Sequence, residues 1–280
     1  MPDANRATAV GEAPATEMIT LTIDGLEIEV PRGTTIWDAA RQSGIEIPVL
    51  CHDERLTPVG VCRVCLVDVG ETRLTAACIR EASDGMIVAT ATDTIERARK
   101  GLIELLLSDY PDDAPAEAKT SSDELEALAA KYGIERPKPG ANGDRTAAVA
   151  GIPAGNGRPN DNSSPVIRVD HQSCILCDRC IRACDDVQVN NVIGRTGKGY
   201  ETRIGFDLDD PMGASTCVAC GECEKVCPTG ALSLVDLTQL VKANGNAAPA
   251  APAKPLREVD SVCPYCGVGC AITYHVDDEA

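Results

Sequence analysis

Eight cysteines between Cys174 and Cys227 fall into two copies of one spacing, C-x2-C-x2-C-x3-C. The first copy reads Cys174-Ile-Leu-Cys177-Asp-Arg-Cys180-Ile-Arg-Ala-Cys184. The second reads Cys217-Val-Ala-Cys220-Gly-Glu-Cys223-Glu-Lys-Val-Cys227 and is followed by Pro228. Three thiolates three residues apart on a tight turn can cap three corners of one iron–sulfur cube, and the fourth corner must be reached from elsewhere. The spacing therefore predicts two [4Fe–4S] clusters with exchanged fourth ligands. One is assigned to Cys174, Cys177, Cys180 and Cys227, the other to Cys217, Cys220, Cys223 and Cys184. Structural zinc is the competing use of C-x2-C pairs. A tetrahedral ion takes two such pairs, however, and each run would leave a third cysteine over.

A second set, Cys51, Cys62, Cys65 and Cys78, has the spacing C-x10-C-x2-C-x12-C. Four thiolates with none left over suit a [2Fe–2S] rhomb, two on each iron, with a four-cysteine zinc site as the alternative. Gly60 and Val61 ahead of Cys62 are small enough to let main-chain N–H groups approach sulfur, which tunes a cluster. His52, beside Cys51, is read as a surface residue. A third set, Cys263-Pro-Tyr-Cys266-Gly-Val-Gly-Cys270, supplies three quarters of another [4Fe–4S] site. The three sets account for all 15 cysteines. An odd number in ligand-like clusters, with no signal peptide, argues against a secreted disulfide framework and for a reducing cytoplasm.

The elements that must position these ligands follow from pattern. Met1 to Thr16 reads as a disordered leader. Ile19–Ile23 and Leu26–Val30 alternate strictly around Asp24-Gly25, a hairpin signature. Thr34 or Thr35 caps a short helix from Ile36 to about Ser43, ended by Gly44. Hairpin, helix and cysteine-bearing loop is the order of a β-grasp ferredoxin domain. Arg63 to Ala76 is strand-like, and Ile87 to Ala89 closes the sheet. Asp93-x-x-Glu96 reads as a capping box for a helix to about Ser108, with Ile95, Ala98, Leu102, Leu105 and Leu106 on one face. Ser122 to Tyr132 is a second, acidic helix. Pro137 to about Asn162 is a linker, and Val166 to Asp170 opens the two-cluster domain. His171 is read as a hydrogen-bonding residue, and Val187, Val189 and Val192 as shields over a cluster face. Ala247 to Pro255 is an Ala/Pro linker.

Composition sets limits. With 26 Lys plus Arg against 43 Asp plus Glu, the formal charge is -17. No basic stripe exists, which excludes nucleic acid as the expected partner and suits docking to basic protein surfaces. No run of 18 apolar residues occurs, so no membrane span is expected. Aromatic residues are only 2%, so cores are small and cross-linking by metal is expected to support them. There is no G-x-G-x-x-G after a strand and no P-loop, so no catalytic or nucleotide-binding residue is assigned in this chain.

Cys51, Cys62, Cys65 and Cys78, followed by Gly101-Leu-Ile-Glu-Leu-Leu-Leu-Ser108 and by Ser164-Pro165 ahead of Cys174-Ile-Leu-Cys177, resemble one family. It is the N-terminal iron–sulfur region shared by the large subunit of NADH dehydrogenase complexes, NAD-linked hydrogenases and NAD-dependent formate dehydrogenases. The resemblance covers about residues 17 to 280. The family often places a His-x3-Cys-x2-Cys-x5-Cys set between the two ferredoxin units. Here those places hold Tyr110, Ala114, Glu117 and Asp123, so that cluster is expected to be absent. Cys263 to Cys270 is similar to the opening of molybdopterin- or tungstopterin-dependent formate dehydrogenase catalytic domains, where a fourth cysteine lies further along. The chain therefore reads as a truncated or split catalytic subunit, its last cluster completed by a missing segment or a partner.

The resulting expectation is an α+β protein in seven parts. A leader (1–16) precedes a [2Fe–2S] β-grasp ferredoxin domain (17–92) and a helical connector (93–136). A linker (137–164) leads to a two-[4Fe–4S] ferredoxin domain (165–240). A second linker (241–257) precedes the start of a molybdopterin-oxidoreductase [4Fe–4S] module (258–280). The resemblance implies the electron-transfer portion of a cytoplasmic NAD-dependent formate dehydrogenase. Its partners would be a pterin-bearing catalytic segment or subunit and a flavin (FMN)/NAD-binding subunit. A freestanding polyferredoxin, or the equivalent subunit of a hydrogenase or NADH dehydrogenase, is the alternative.

Overall fold

The computed structural model describes residues 17–111, 123–134, 158–235, 257–263 and 270–276. The leader, most of both linkers, Ser122, Ala114, Glu117 and Cys266 lie outside the described residues. The chain divides into two compact units: Met1–Val49 with Pro58–Leu102, and Leu50–Thr57 with Ile103–Ala280.

In the first unit, β1 (Met18–Ile23) and β2 (Leu26–Pro31) pair antiparallel with Ile19 opposite Val30 and Ile23 opposite Leu26. Asp24 and Gly25 both take positive φ, 49° and 85°, as a two-residue hairpin turn matching strand twist requires. The alternation buries Ile19, Leu21, Ile23, Ile28 and Val30 on one face. β5 (Ile87–Val88) adds in parallel on the free edge of β1. Helix α1 (Ile36–Gln42) begins where the Thr35 hydroxyl accepts from the Asp38 N–H, and it lays Ile36, Ala39 and Ala40 into the same core. The single strand expected over 63–76 is instead two short strands, β3 (Leu66–Val67) and β4 (Thr75–Ala76), paired antiparallel. Asp68 accepts from the Gly70 N–H at 2.8 Å, and Gly70 has φ +76°, which turns the chain back.

Helix α2 (Asp93–Ser108) starts one residue earlier than the capping box implies. Thr92 is the cap: its hydroxyl accepts from the Ile95 N–H and its carbonyl from the Glu96 N–H. Glu96 pairs with Arg99 rather than reaching back to the cap. The buried stripe is Ile95, Arg99, Ile103 and Leu107, whereas Leu105 is exposed. Arg99 is tolerated inside because its guanidinium donates to the Leu66 carbonyl at 2.7 Å and to Glu96.

In the second unit, β6 (Ile167–Val169) pairs antiparallel with β9 (Leu232–Leu234), and β7 (Ile193–Thr196) with β8 (Arg203–Phe206). The β6–β9 pair ties the entry to the first cysteine run to the exit from the second. The core between them holds Ile167, Ile204, Phe206, Met212 and Leu232, and the ligand cysteines are members of it. The described end of the predicted linker is already fastened to this core. Asp161 pairs by main chain with Val169, and its carboxylate accepts from the Met212 N–H at 2.7 Å. Helix α3 (Glu124–Lys131) is capped by Asp123, which accepts from the Glu126 N–H. Strands β10 (Arg257–Val262) and β11 (Ala271–Val276) form a separate antiparallel ribbon. No helix among the described residues is long and apolar enough to cross a membrane.

Leu21 is 1% exposed at the centre of the first core. Leu21→Ala is expected to destabilise the first unit by about 2–5 kcal/mol, seen as a lower urea midpoint under anaerobic conditions.

Candidate metal centres

Each cysteine run bends at the same two places. Leu176 and Asp178 in the first copy have φ 54° and 61°, and Ala219 and Gly221 in the second have 53° and 81°. Left-handed backbone at three non-glycine residues costs about 1–3 kcal/mol each. The return is a concave nest of main-chain N–H groups facing sulfur. Ala219 N–H donates to Cys217 Sγ at 3.4 Å, and Val192 N–H to Cys184 Sγ at 3.5 Å. The N–H groups of Leu176, Arg179 and Glu224 serve Cys174, Cys177 and Cys223. The third cysteine of each run sits on a one-turn helix, Arg179–Arg182 or Glu222–Lys225. In the first copy that turn widens into a π-turn over Ala183–Val187, with Gln188 N–H reaching the Ala183 carbonyl. Cys184 projects from the widened turn.

The folded chain gathers the cysteines into two cavities. Cys174, Cys177, Cys180 and Cys227 line one, and Cys184, Cys217, Cys220 and Cys223 line the other. Among the described residues no three His, Cys, Asp or Glu groups converge closely enough for one metal ion. The four cysteines of each group instead share the lining of one cavity, as ligands of a four-iron cube would.

Burial lifts the Cys174 thiol to about 11 and the Cys223 thiol to about 12, and it raises Cys177, Cys180 and Cys217 as well. Neighbouring cysteines add to the rise, while the facing N–H groups oppose it. Ligation requires thiolate, so iron must displace protons that burial holds on sulfur.

The other predicted residues fall as follows. Val192 lines the second cavity, but Val187, at the end of the π-turn, and Val189, beyond it at φ 56°, are exposed. His171 is buried with Nδ1 2.6 Å from the Pro159 carbonyl and Nε2 3.0 Å from the Ile204 carbonyl, a hydrogen-bonding role. His52, expected at the surface, is buried, because Arg179 pins its carbonyl with two donors at 2.7 and 3.2 Å. In the first unit Cys65 and Cys78 are buried with their sulfurs 3.4 Å apart, and Cys62 is half-buried. Gly60 precedes them at φ +63°, where a Cβ would meet Ile79 at 2.9 Å. Cys51 is buried on the Leu50–Thr57 segment, counted with the second unit. Cys263 N–H donates to the Cys270 carbonyl at 2.9 Å, extending the β10–β11 ladder by one bond. Tyr110 and Asp123 hydrogen-bond at 2.5 Å, and the Tyr110 hydroxyl also lies 3.0 Å from the Thr229 carbonyl. Burial, then Asp123, raises the Tyr110 pKa.

Two residues were missed altogether. Arg179 and Arg182 are buried between the ligands of the first run and reach the main chain around Cys51. Their one signal in sequence is that Glu222 and Lys225 stand at the matching places of the second copy.

Three family models match the chain. They are a 2Fe-2S iron-sulfur cluster binding domain over residues 16–93, a 4Fe-4S dicluster domain over 173–231, and a molybdopterin oxidoreductase Fe4S4 domain over 256–280. An NADH-quinone oxidoreductase component of Rhizobium meliloti is 36% identical over 91% of this chain and 27% of its own length. The NADP-reducing hydrogenase subunit HndD of Solidesulfovibrio fructosivorans is 37% identical over 77% of this chain and 36% of its own length. The NADPH-Fe(3+) oxidoreductase subunit alpha of Geobacter sulfurreducens is 33% identical over 92% of this chain and 28% of its own length. A solved chain of an NAD+-reducing [NiFe]-hydrogenase in the H2-reduced state superposes with a TM-score of 0.67 at 29% identity, covering 78% of this chain and 88% of that one. Over most of its length the chain is similar to the iron–sulfur regions of these NAD(P)-linked oxidoreductases. It spans between about a quarter and about a third of the length of these three curated relatives. The span matching the 2Fe-2S domain contains Cys51, Cys62, Cys65 and Cys78, and the span matching the 4Fe-4S dicluster domain contains both cysteine runs.

Cys227→Ser is expected to lower iron by about four atoms per chain and to spare the cluster at Cys217, Cys220 and Cys223. Cys184→Ser does the reverse, and EPR of the reduced proteins distinguishes the two. Because burial lifts the Cys174 and Cys223 thiols to about 11 and about 12, iron uptake at pH 8 is expected to release protons, and retention of iron weakens as pH falls. A pH-stat during anaerobic reconstitution measures the release.

Proposed function

We propose that this chain relays single electrons within an NAD(P)-linked oxidoreductase complex. The observation that carries this reading is the pair of cavities, each lined by three cysteines of one run and the last cysteine of the other. Cys174, Cys177, Cys180 and Cys227 would hold one [4Fe–4S] cluster, and Cys217, Cys220, Cys223 and Cys184 the second. Cys51, Cys62, Cys65 and Cys78 would hold a [2Fe–2S] cluster, within the span that matches a 2Fe-2S binding domain. Such clusters supply one-electron transfer at potentials set by hydrogen bonds to sulfur, charge and burial. The chain's own contribution is to exclude water around sulfur and to aim N–H groups at it.

The narrower proposal is a cytoplasmic, NAD-dependent formate dehydrogenase. The chain would link a molybdo- or tungstopterin formate/CO2 site with a flavin/NAD-binding subunit. Cys263, Cys266 and Cys270, inside a match to a molybdopterin oxidoreductase Fe4S4 domain, support it. A cysteine from another segment or subunit would complete that third [4Fe–4S] site. The names of the relatives favour a second reading, the equivalent subunit of a hydrogenase or an NADH-quinone oxidoreductase.

Analysis of the purified complex tests both levels. The chain is expected to carry about 10 iron atoms with matching acid-labile sulfide, rising to about 14 when the third site is complete. Formate is expected to drive NAD+ reduction by the complex, with loss in Cys266→Ser. Reduction driven by H2, or quinone reduction by NADH, with formate inert, would overturn the formate assignment and leave the relay. A chain without acid-labile sulfide would overturn the relay itself.

A further inference from the structure

The segment Leu50–Thr57 is fastened to the first ligand run by guanidinium groups. Arg182, 6% exposed, donates from Nη2 to the Cys51 carbonyl at 2.5 Å and to the Cys177 carbonyl at 3.3 Å. Its Nη1 reaches the Thr57 carbonyl at 2.7 Å and its Nε the Asp178 carbonyl at 3.1 Å. Arg179 donates twice to the His52 carbonyl and pairs with Glu124 at 2.7 Å. Thr57 N–H meets Asp186, Arg55 pairs with Glu222 at 2.6 Å, and Leu56 packs on Ala183 and Val226.

Arg182 differs from Arg179 in one respect. Every one of its hydrogen bonds ends on a neutral main-chain carbonyl, and among the described residues no carboxylate pairs with it. A buried cation so placed is costly unless negative charge stands close by. The ligand set is a source in the same run, since Cys180 and Cys184 flank Arg182 two residues away on either side and four thiolates around a cluster would leave it net negative. Resting on the ligand assignment above, we propose that Arg182 is a positioning residue joining two centres. It ties the main chain of Cys51, a [2Fe–2S] ligand, to that of Cys177, a [4Fe–4S] ligand, and its charge raises the reduction potential of both. By linkage, the gain of an electron at either centre tightens the hold on the Leu50–Thr57 segment.

Two readouts separate charge from geometry in the full chain. In Arg182→Gln the potentials of the [2Fe–2S] and the Cys177 clusters are expected to fall. The shift should be about tenfold in the reduced-to-oxidised ratio at fixed potential, or about 59 mV for one electron. The cluster at Cys184 moves less. In Arg182→Lys the potentials stay near those of the unsubstituted chain, while amide exchange in residues 50–57 speeds up because the planar fork is lost. Exchange in that segment is also expected to slow on reduction of the unsubstituted chain. If Arg182→Gln loses iron, Arg182→Lys decides. Clusters retained, potentials held and faster loop exchange support the role, and unchanged exchange overturns it. Unmoved potentials in an iron-replete Arg182→Gln also overturn it. A missing [2Fe–2S] signal in the unsubstituted chain would instead refute the ligand assignment on which it rests.

Discussion

Ionising a thiol away from water is the cost around which the second unit is arranged. Desolvation is the first cause of the rise at Cys174, Cys177, Cys180 and Cys223, and crowding by other cysteines follows it at each. Main-chain N–H groups offset part of this, and they do so only because Leu176, Asp178, Ala219 and Gly221 adopt left-handed backbone. Strain, burial and ligand chemistry are therefore one problem. The same cysteines are members of the apolar core with Ile204, Phe206 and Leu232. In a chain with 2% aromatic residues, the groups that would hold metal also fill the interior.

How much of this could be read from sequence depends on how local each interaction is. Three thiolates on one turn are a local geometry, so the two runs were legible in spacing alone. The hairpin at Asp24-Gly25 and the Thr35 cap were legible for the same reason. Helix α2 was legible in extent but not in facing. Its apolar residues form two adjacent stripes, and Arg99 lies on the buried one because a carbonyl from Leu66 is there to receive it. His52 was misplaced because the group that buries it, Arg179, lies far away in sequence. The strand expected over 63–76 failed on a single turn, where Asp68 and Gly70 reverse the chain.

The two copies are alike where sulfur must be held and unlike where they face something else. Both bend at their third and fifth positions, and both carry the third cysteine on one turn of helix. At the sixth and ninth positions the first copy has Arg179 and Arg182, while the second has Glu222 and Lys225. The first pair reaches the carbonyls of Cys51, His52 and Thr57, and Glu222 takes Arg55 from the same segment. The two copies thus share the turn that carries the cysteines, while Arg179, Arg182 and Glu222 clasp one loop from several sides.

That clasp explains why the residue is arginine and not lysine. Four carbonyls at different bearings must be met from one buried side chain, which needs a planar group with five donors. An ammonium has three donors and keeps its hydration more stubbornly. The chain's formal charge of -17 does not by itself neutralise such a cation, because carboxylates at the surface are screened by solvent. What matters is charge inside the low-dielectric region, where the thiolates of the ligand runs are the anions at hand. Surface acidity and interior cation are thus independent features, the first acting on association and solubility and the second, on the proposal above, on the energy of an electron at the ligand runs.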